Sequence, residues 1–173
     1  GYGVQEVCCC NSKPLIKNLE RVEGWNMIPP FFTILLFMKD YSFELLMKVR
    51  DYECDLQGIV NNANYQHYLE HTRHEFLLSI GLSFAEMSAA GYDFVVSKVT
   101  LNYKSPLRSR DEFRSQLYVT KEGIKCVFHQ EIVRVSDNKV CLRGTVESVC
   151  VHEGKLVRNT PYDSLLEGYL TTN

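Results

Sequence analysis

The chain has 173 residues, of which 45% are hydrophobic, and it carries a formal net charge of −2. This length and composition are typical of one globular domain whose core needs no disulfide bonds. The nearly balanced charge, without a basic stripe, argues against a nucleic acid as partner. The seven cysteines are unevenly spaced and form no CxxC pair, which favours reduced thiols in a cytoplasmic protein over a zinc finger.

The first forty residues differ in pattern from the rest of the chain. The apolar run from Met27 to Met38 is twelve residues long and contains two prolines, whereas a membrane span needs about 20 apolar residues. No secretory signal is recognisable at the start. We therefore expect an N-terminal extension over 1–40, a single domain over 41–173, and no membrane span. A further hypothesis is that the native protein starts at Met38, so that a truncation beginning there folds and acts normally.

Regular patterns begin at residue 42. Apolar and polar residues alternate over 42–50, which is the period of a half-buried strand, and a polar loop follows over 51–60. Asn61 or Asn62 then caps a helix of about five turns that stops at Gly81. The residues predicted on the buried face of this helix are Tyr65, Tyr68, Leu69, Thr72, Phe76 and Ile80. A capping box at Ser83 predicts a short second helix over 83–90.

Strands dominate the second half of the chain. They are predicted at 93–104, 111–122, 124–136 and 139–152, with turn signals between them, and a short terminal helix is predicted over 164–170. Strands segregated from helices predict an α+β fold, and short hairpins predict an antiparallel sheet. One long helix cannot cover both faces of such a sheet. The sheet must therefore curl around the helix or meet a partner chain, and we expect a homodimer or homotetramer.

The chemically informative stretch joins the first strand to the long helix. A helix N-terminus presents unpaired N–H groups and a partial positive charge, which can hold the oxyanion formed when a carbonyl is attacked. Asp55 lies in the loop that leads to these donors, where a carboxylate can attack a carbonyl or activate water. Gly58 permits backbone close to a ligand. The pattern alone also fits a plain turn in which Asp55 and Asn61 only cap backbone groups.

Two stretches resemble a known enzyme family. Residues 53–65 read ECDLQGIVNNANY and resemble the signature of the 4-hydroxybenzoyl-CoA thioesterase family, with two acidic residues two apart, a glycine, an aliphatic pair and a tyrosine. Residues 102–111 read NYKSPLRSRD and are similar to that family's strand end with Tyr, Pro and a closing Asp. With the element order, the resemblance covers about residues 41–155. It implies the hotdog fold, an antiparallel sheet wrapped around one long helix.

The resemblance implies hydrolysis of an acyl thioester, either acyl-CoA or acyl carrier protein, to free acid and thiol. It makes Asp55 the catalytic carboxylate, and the backbone N–H near Asn62 polarises the thioester carbonyl at an active site between subunits. Further candidates for substrate binding are Gly58, Ile59, Val60, Asn61 and Tyr65. By position and charge, Lys104, Arg108 and Arg110 are candidates for holding the nucleotide part of coenzyme A. No cofactor and no metal are expected.

Two positions depart from the family pattern. Glu53 stands where the family often has Asp, which can shift a hydrogen bond in the loop. Asn62 stands where one bacterial subgroup has a catalytic His, so that any assistance from this side chain must be by hydrogen bonding. Whether Asp55 acts as nucleophile or general base stays open. Phe84 and Met87 of the short helix are candidates for an acyl tunnel or for plain core packing.

Other residues of the long helix allow different chemistry. His67, His71 and His74 share a face and could bind a metal, although a solvated polar stripe is the simpler interpretation. Glu70 and Glu75 are alternatives to Asp55, since a helix glutamate is catalytic in a related hotdog subgroup. Two other functions also stay open: a non-catalytic acyl-thioester binder, and a hydratase or dehydratase, which commonly pairs a histidine with the carboxylate.

Overall fold

The structure is a computed structural model that describes residues 41–171. The strands in this part of the chain are β1 (Phe43–Lys48), β2 (Tyr92–Tyr103), β3 (Glu112–Glu122), β4 (Lys125–Arg134), β5 (Val140–His152) and β6 (Lys155–Val157). The helices are α1 (Asn62–Ser79), α2 (Phe84–Ala89) and α3 (Asp163–Glu167), and one 3₁₀ turn covers Asp51–Glu53. The predicted extension over 1–40, including the hypothetical start at Met38, lies outside the described residues.

The strands form one antiparallel sheet in the order β1-β3-β4-β5-β2, and β6 pairs with the end of β5. β3, β4 and β5 follow one another through short turns, which is why they pair as hairpins. The side chains that face the helix set the register: Phe128 lies opposite Val146, and Ile132 lies opposite Leu142. All four are buried. The curled antiparallel sheet with its helix confirms the predicted α+β hotdog fold.

α1 spans the predicted range and packs its predicted face against the sheet. Its buried residues are Tyr65, Tyr68, Leu69, Thr72, Phe76 and Leu77. Ile80, which was also predicted on this face, is half-buried and packs against the same core. Two buried hydrogen bonds fix the helix to the sheet: the Thr72 hydroxyl donates to Ser115 Oγ (2.7 Å) and the Gln130 amide donates to the Leu69 carbonyl (2.9 Å). Among residues 41–171, no helix is long and apolar enough to cross a membrane.

Three elements account for the main differences from the sequence-based prediction. β6 was not predicted, because a strand of three residues carries too little periodicity to be recognised. β4 ends at Arg134 rather than at 136, since the Arg134 guanidinium binds the Asp137 carboxylate (2.8 Å and 2.9 Å) and turns the chain back. α3 covers Asp163–Glu167 rather than 164–170.

β2 is an edge strand whose helix-facing side is largely uncovered. The residues that alternate toward this side, referred to below as the β2 strip, are Phe94, Val96, Val99, Leu101 and Tyr103. Val96 is 46% exposed, Val99 40% and Tyr103 49%. Gly144 of β5 lets β2 approach closely, because a Cβ at that position would lie 2.7 Å from the Leu101 side chain. A row of apolar side chains therefore stands open beside α1.

Candidate active site

The segment between β1 and α1 folds into a tight loop, the Asp55 loop (residues 54–60). Its two ends pair as an isolated antiparallel bridge. The amide of Asp55 donates to the carbonyl of Ile59 (2.9 Å), and the amide of Gly58 donates to the carbonyl of Asp55 (3.0 Å). Gly58 has a φ of +70°, a left-handed conformation that glycine adopts without steric cost. The backbone of the loop is thus closed on itself around Asp55.

The Asp55 carboxylate is half-buried and is held by the loop on one side only. Its Oδ1 accepts a hydrogen bond from the amide of Gln57 (2.8 Å), a turn that fixes the side chain against the backbone two residues on. Oδ2 has no donor in the described part of the chain. One oxygen therefore orients the group while the other can attack a carbonyl or take a proton from water. Burial raises the pKa of the neighbouring Cys54 thiol, which disfavours a thiolate nucleophile.

Glu53 anchors the loop to α1. Its buried Oε2 accepts hydrogen bonds from the Arg50 amide (2.7 Å) and from the Tyr68 hydroxyl (2.7 Å). Its carbonyl accepts from the Asn61 amide (2.9 Å) and from the Asn64 side chain (2.7 Å). Burial and the Glu53 carboxylate raise the pKa of Tyr68, so the phenol stays protonated and donates. The loop therefore enters the helix from a fixed position.

α1 begins beside this loop with one amide left unpaired. Asn61 is the N-cap: its side chain accepts from the Ala63 amide (3.0 Å) and its carbonyl from the Asn64 amide (2.9 Å). In the described part of the chain, the Asn62 amide donates no hydrogen bond, and Asn62 is exposed. The Asn62 carbonyl accepts from the Tyr103 hydroxyl (3.1 Å). A free N–H at the positive end of a helix is the kind of donor that an oxyanion needs.

A second loop, residues 104–111, closes against the Asp55 loop. The amide of Leu107 donates to the Tyr65 hydroxyl (3.0 Å), and the carbonyl of Leu107 accepts from the Val60 amide (2.9 Å). Tyr65 and Val60 are both buried, so each of them ties the two loops to the core. Their predicted contacts with substrate stay predictions.

The three predicted cations lie on this second loop and are exposed. Arg108 reaches the Asp55 loop, where its Nη1 donates to the carbonyl of Gly58 (3.4 Å), and its amide donates to the Asp111 carboxylate (2.9 Å). Arg110 adopts a left-handed φ of +68°. Lys104 follows the end of β2. The structure thus places positive charge beside the Asp55 loop, while contact with a nucleotide stays a prediction.

Sequence reasoning missed the hydrogen bonds through which two tyrosines shape the site. Tyr68 was predicted to be buried, and a buried phenol needs a hydrogen-bond partner; that requirement was the available signal for the pair with Glu53. Tyr103 is the tyrosine of the motif over 102–111, but the motif does not reveal its bond to Asn62, which joins residues 41 positions apart. Together they link the start of α1 to the buried Glu53 carboxylate and to the β2 strip.

Four polar residues of α1 form two pairs along the helix. His71 lies 3.9 Å from Glu75, and His74 lies 4.0 Å from Glu70, on exposed surface. Within residues 41–171, no group of three or more His, Cys, Asp or Glu residues is placed to hold a metal ion. The solvated polar stripe remains the simpler interpretation of these histidines.

Comparisons with known proteins bear on the family and the fold of the chain. A family model described as the Thioesterase-like superfamily matches residues 49–163. Acyl-CoA thioester hydrolase YbgC of Escherichia coli is 31% identical over 120 residues, which cover 69% of this chain and 89% of the relative. Acyl-acyl carrier protein thioesterase ATL3, chloroplastic, of Arabidopsis thaliana is 50% identical over 70 residues, or 40% of this chain and 37% of the relative. The chain spans less than half the length of this plant relative.

Solved structures show the same fold. A hypothetical protein from Aquifex aeolicus superposes with a TM-score of 0.67 at 28% identity, over 73% of this chain and 98% of that chain. Slr0204, a 1,4-dihydroxy-2-naphthoyl-CoA thioesterase from Synechocystis, gives a TM-score of 0.67 at 16% identity over 72% and 94% of the two chains. Since the family match spans the Asp55 loop, α1 and the strands β2 to β6, the chain belongs to the Thioesterase-like superfamily.

Proposed function

We propose that the chain hydrolyses acyl thioesters at Asp55. The observation that carries the proposal is a half-buried carboxylate with one unpaired oxygen, in a loop that leads directly to the unpaired amide of Asn62 at a helix start. A carboxylate and an oxyanion donor are the two groups that thioester hydrolysis requires. Membership of the superfamily supports the same reaction, since YbgC is named an acyl-CoA thioester hydrolase.

Two routes through Asp55 give the same products. As a nucleophile, the carboxylate attacks the carbonyl carbon, the C–S bond breaks, the thiolate leaves, and water hydrolyses the resulting anhydride. As a general base, Asp55 takes a proton from the attacking water, and that proton passes to the leaving sulfur. In both routes negative charge develops on the carbonyl oxygen, where the Asn62 amide donates. The Asn62 side chain does not titrate and acts only through hydrogen bonds.

The substrate is a thioester of coenzyme A or of acyl carrier protein. Within the superfamily, the chain lies close to the 4-hydroxybenzoyl-CoA thioesterases. Arg108 joins the second loop to Gly58, and with Lys104 and Arg110 it offers positive charge to a nucleotide phosphate or an acidic carrier. The names of YbgC and ATL3 cover both carriers. A cytoplasmic location stays a prediction, and the name of the plant relative places that protein in the chloroplast.

The β2 strip supports a homodimer built through β2. An edge strand has unpaired N–H and C=O groups, and the apolar side chains of this one are uncovered. A second copy that pairs its own β2 in antiparallel orientation satisfies the backbone and covers the strip, and identical strands pair in this way about a twofold axis. Because Tyr103 of the strip binds the Asn62 carbonyl, the active site then lies at the subunit boundary.

The test is the release of free thiol from a panel of acyl-CoAs, from butyryl to palmitoyl and including benzoyl. We expect Asp55→Asn to lower kcat by about 10²–10⁴-fold. Asp51→Asn is the matched control: it makes the same change in the segment that leads to the loop, and its amide oxygen can still accept from the Ser109 hydroxyl. We expect its activity to stay within about twofold of wild type.

Two outcomes would contradict the proposal. Equal activity in wild type and Asp55→Asn removes Asp55 from the mechanism. Tight binding of acyl-CoA by the wild type without turnover favours a non-catalytic acyl-thioester binder.

A further inference from the structure

Asn62 lies between two peptide groups that are both held by hydrogen bonds. In the peptide before it, the Asn61 carbonyl accepts from the Asn64 amide (2.9 Å). In the peptide after it, the Ala63 amide donates to the Asn61 side chain (3.0 Å). The carbonyl of this second peptide, which is that of Asn62, accepts from the Tyr103 hydroxyl (3.1 Å). The backbone of Asn62 is therefore held on both sides while its own N–H points outward.

Among these bonds, the one from Tyr103 comes from outside the first turn of α1. The others join residues two or three positions apart and are of the kind that an asparagine N-cap ordinarily forms. The Tyr103 hydroxyl comes from the end of β2, 41 positions along the chain. The start of the helix is thus held by its own cap and, in addition, by the sheet.

The bond from Tyr103 is not needed to satisfy a buried polar group. Tyr103 is 49% exposed and Asn62 is exposed as well, so water can replace either partner. A helical carbonyl also accepts from the amide four residues further on. Because folding exchanges bonds with water for this one, its net contribution to stability is small. Its main consequence is the position in which it holds the backbone.

The phenol of Tyr103 is itself held in place. Its ring packs edge-on against the ring of Tyr65, with the centroids 5.5 Å apart and the planes at 78°. Tyr65 is buried, and its hydroxyl accepts from the Leu107 amide (3.0 Å). The Tyr103 hydroxyl is therefore presented to α1 from a fixed position, although part of the ring is open to water.

An oxyanion donor acts only when its direction is accurate. Such donors lie about 2.7–3.1 Å from the position that the oxyanion takes in the transition state. Each residue has two soft backbone dihedrals that can turn its N–H away, so the peptides on both sides of Asn62 must be held. Without the Tyr103 hydroxyl, the second peptide has one partner fewer and can tilt.

We propose that Tyr103 is a positioning residue, whose hydroxyl fixes the first turn of α1 so that the Asn62 N–H points at the thioester carbonyl oxygen. This inference rests on the proposed function and assigns the end of β2 a part in the rate. Tyr103 acts through Asn62 and touches neither the thioester nor Asp55. Its effect therefore falls on kcat and not on KM, as for an interaction realised only in the transition state.

The first test is Tyr103→Phe, which removes the hydroxyl and keeps the ring against Tyr65. We expect kcat for an acyl-CoA to fall about five- to tenfold, KM to change by less than about twofold, and the midpoint of urea unfolding to stay unchanged. Tyr92→Phe is the matched control, since it makes the same change at the other end of β2, where the ring stacks on His152 (4.1 Å). Its kcat should stay within about twofold of wild type.

The second test reads the donor directly through the infrared stretching band of a ¹³C-labelled thioester carbonyl. The acyl-CoA is bound to Asp55→Asn, in which turnover is blocked. A hydrogen bond to the carbonyl oxygen lowers this frequency, so the bound band should lie below that of free acyl-CoA. Adding Tyr103→Phe should move the band back toward the free value, whereas adding Tyr92→Phe should not. A loss of stability in a protein that stays folded does not move this band.

An unchanged kcat in Tyr103→Phe, with Asp55→Asn still inactive, overturns the inference and leaves the proposed function standing. A rise in KM at constant kcat also overturns it, because Tyr103 would then bind the substrate. A wild type that turns over no acyl-CoA defeats the proposed function instead. The carbonyl band of acyl-CoA bound to that wild type then decides: a band unmoved by Tyr103→Phe overturns the inference, and a band that moves toward the free value supports it.

Discussion

The two edge strands of the sheet, β1 and β2, are covered to different extents by the rest of the chain. On β1, the side chains that turn toward α1 are half-buried, and the Phe43 ring lies 5.9 Å from the ring of Phe76. On β2, Val96, Val99 and Tyr103 turn toward the same side and are 40% to 49% exposed. One helix has enough surface to cover one edge of this sheet. The single chain therefore covers the β1 side and leaves the apolar side chains of β2 exposed.

The site lies where these two sides meet. The loop that follows β1 is held by the Glu53 carboxylate, which accepts hydrogen bonds from two donors of the same chain. The other border of the site is Tyr103, on the uncovered strip. Changes on the β2 side should therefore act through assembly, whereas changes on the β1 side should act through the stability of one chain.

Among changes that separate the two edges, the largest effect is expected from Val99→Lys. An unpaired ammonium is costly to bury between two copies, so the dimer should dissociate and thioesterase activity should fall by about 100-fold. Sedimentation equilibrium and thiol release measure the two effects. Leu46→Lys is the control, since it adds the same charge to the other edge strand at a side chain that is 62% exposed. An active, undissociated Val99→Lys dimer would show that the two edges do not differ.

Glu53→Leu should act within one chain. It removes the acceptor of two donors, the Arg50 amide and the Tyr68 hydroxyl, and each unsatisfied group costs about 1–3 kcal/mol. We expect the free energy of unfolding in urea to fall by about 2–4 kcal/mol, and kcat to fall as the loop loosens. Glu112→Leu, which breaks an exposed pair with Lys48, should cost less than about 1 kcal/mol. Equal losses in both variants would deny Glu53 its anchoring role.

Tyr68→Phe removes the hydroxyl and keeps the ring, so it tests the hydrogen bond apart from the packing. The ring still packs 4.8 Å from Phe113, while the hydrogen bond to Glu53 is lost. We expect a loss of about 1 kcal/mol in the free energy of unfolding. In the Glu53→Leu background the same change should cost less, because the acceptor is already gone. Purely additive losses in this double-mutant cycle would argue against a direct bond.

Arg108→Ala should have the smallest effect. We expect KM for acyl-CoA to rise about threefold at low salt, in line with an exposed ion pair, with kcat unchanged. The difference from wild type should shrink at high ionic strength because exposed charges are screened. Lys155→Ala on β6 removes an equally exposed charge and should leave KM unchanged. A fall in kcat without a change in KM would argue against a role of Arg108 in binding acyl-CoA.

Local patterns predicted most of the fold. α1 was predicted from a cap at Asn61 or Asn62 to its end at Gly81, because a long helix with one apolar face repeats its signal over several turns. The long hairpin strands carried the same kind of repeated signal. β6 did not, and the end of β4 depended on the Arg134 bond to Asp137, which no periodicity reveals.

In the candidate site, too, local features were predicted and contacts between distant residues were not. The motif over 53–65 predicted the Asp55 loop and the capped helix start, since both are made from neighbouring residues. Contacts between distant residues were beyond such patterns: Tyr103 meets Asn62 across 41 positions, and Arg108 meets Gly58 across 50. The difference between the two edges was also hidden, because alternation shows which side a residue faces and not what covers it.

The most direct measurement is a crystal structure of the Asp55→Asn protein with bound acyl-CoA. We expect the thioester carbonyl oxygen at about 3 Å from the amide nitrogen of Asn62, with the side chain at position 55 beside the carbonyl carbon and β2 paired to a second copy. A carbonyl bound away from both groups, or a fully occupied site in a monomer, would contradict hydrolysis at Asp55 in a site that two copies complete.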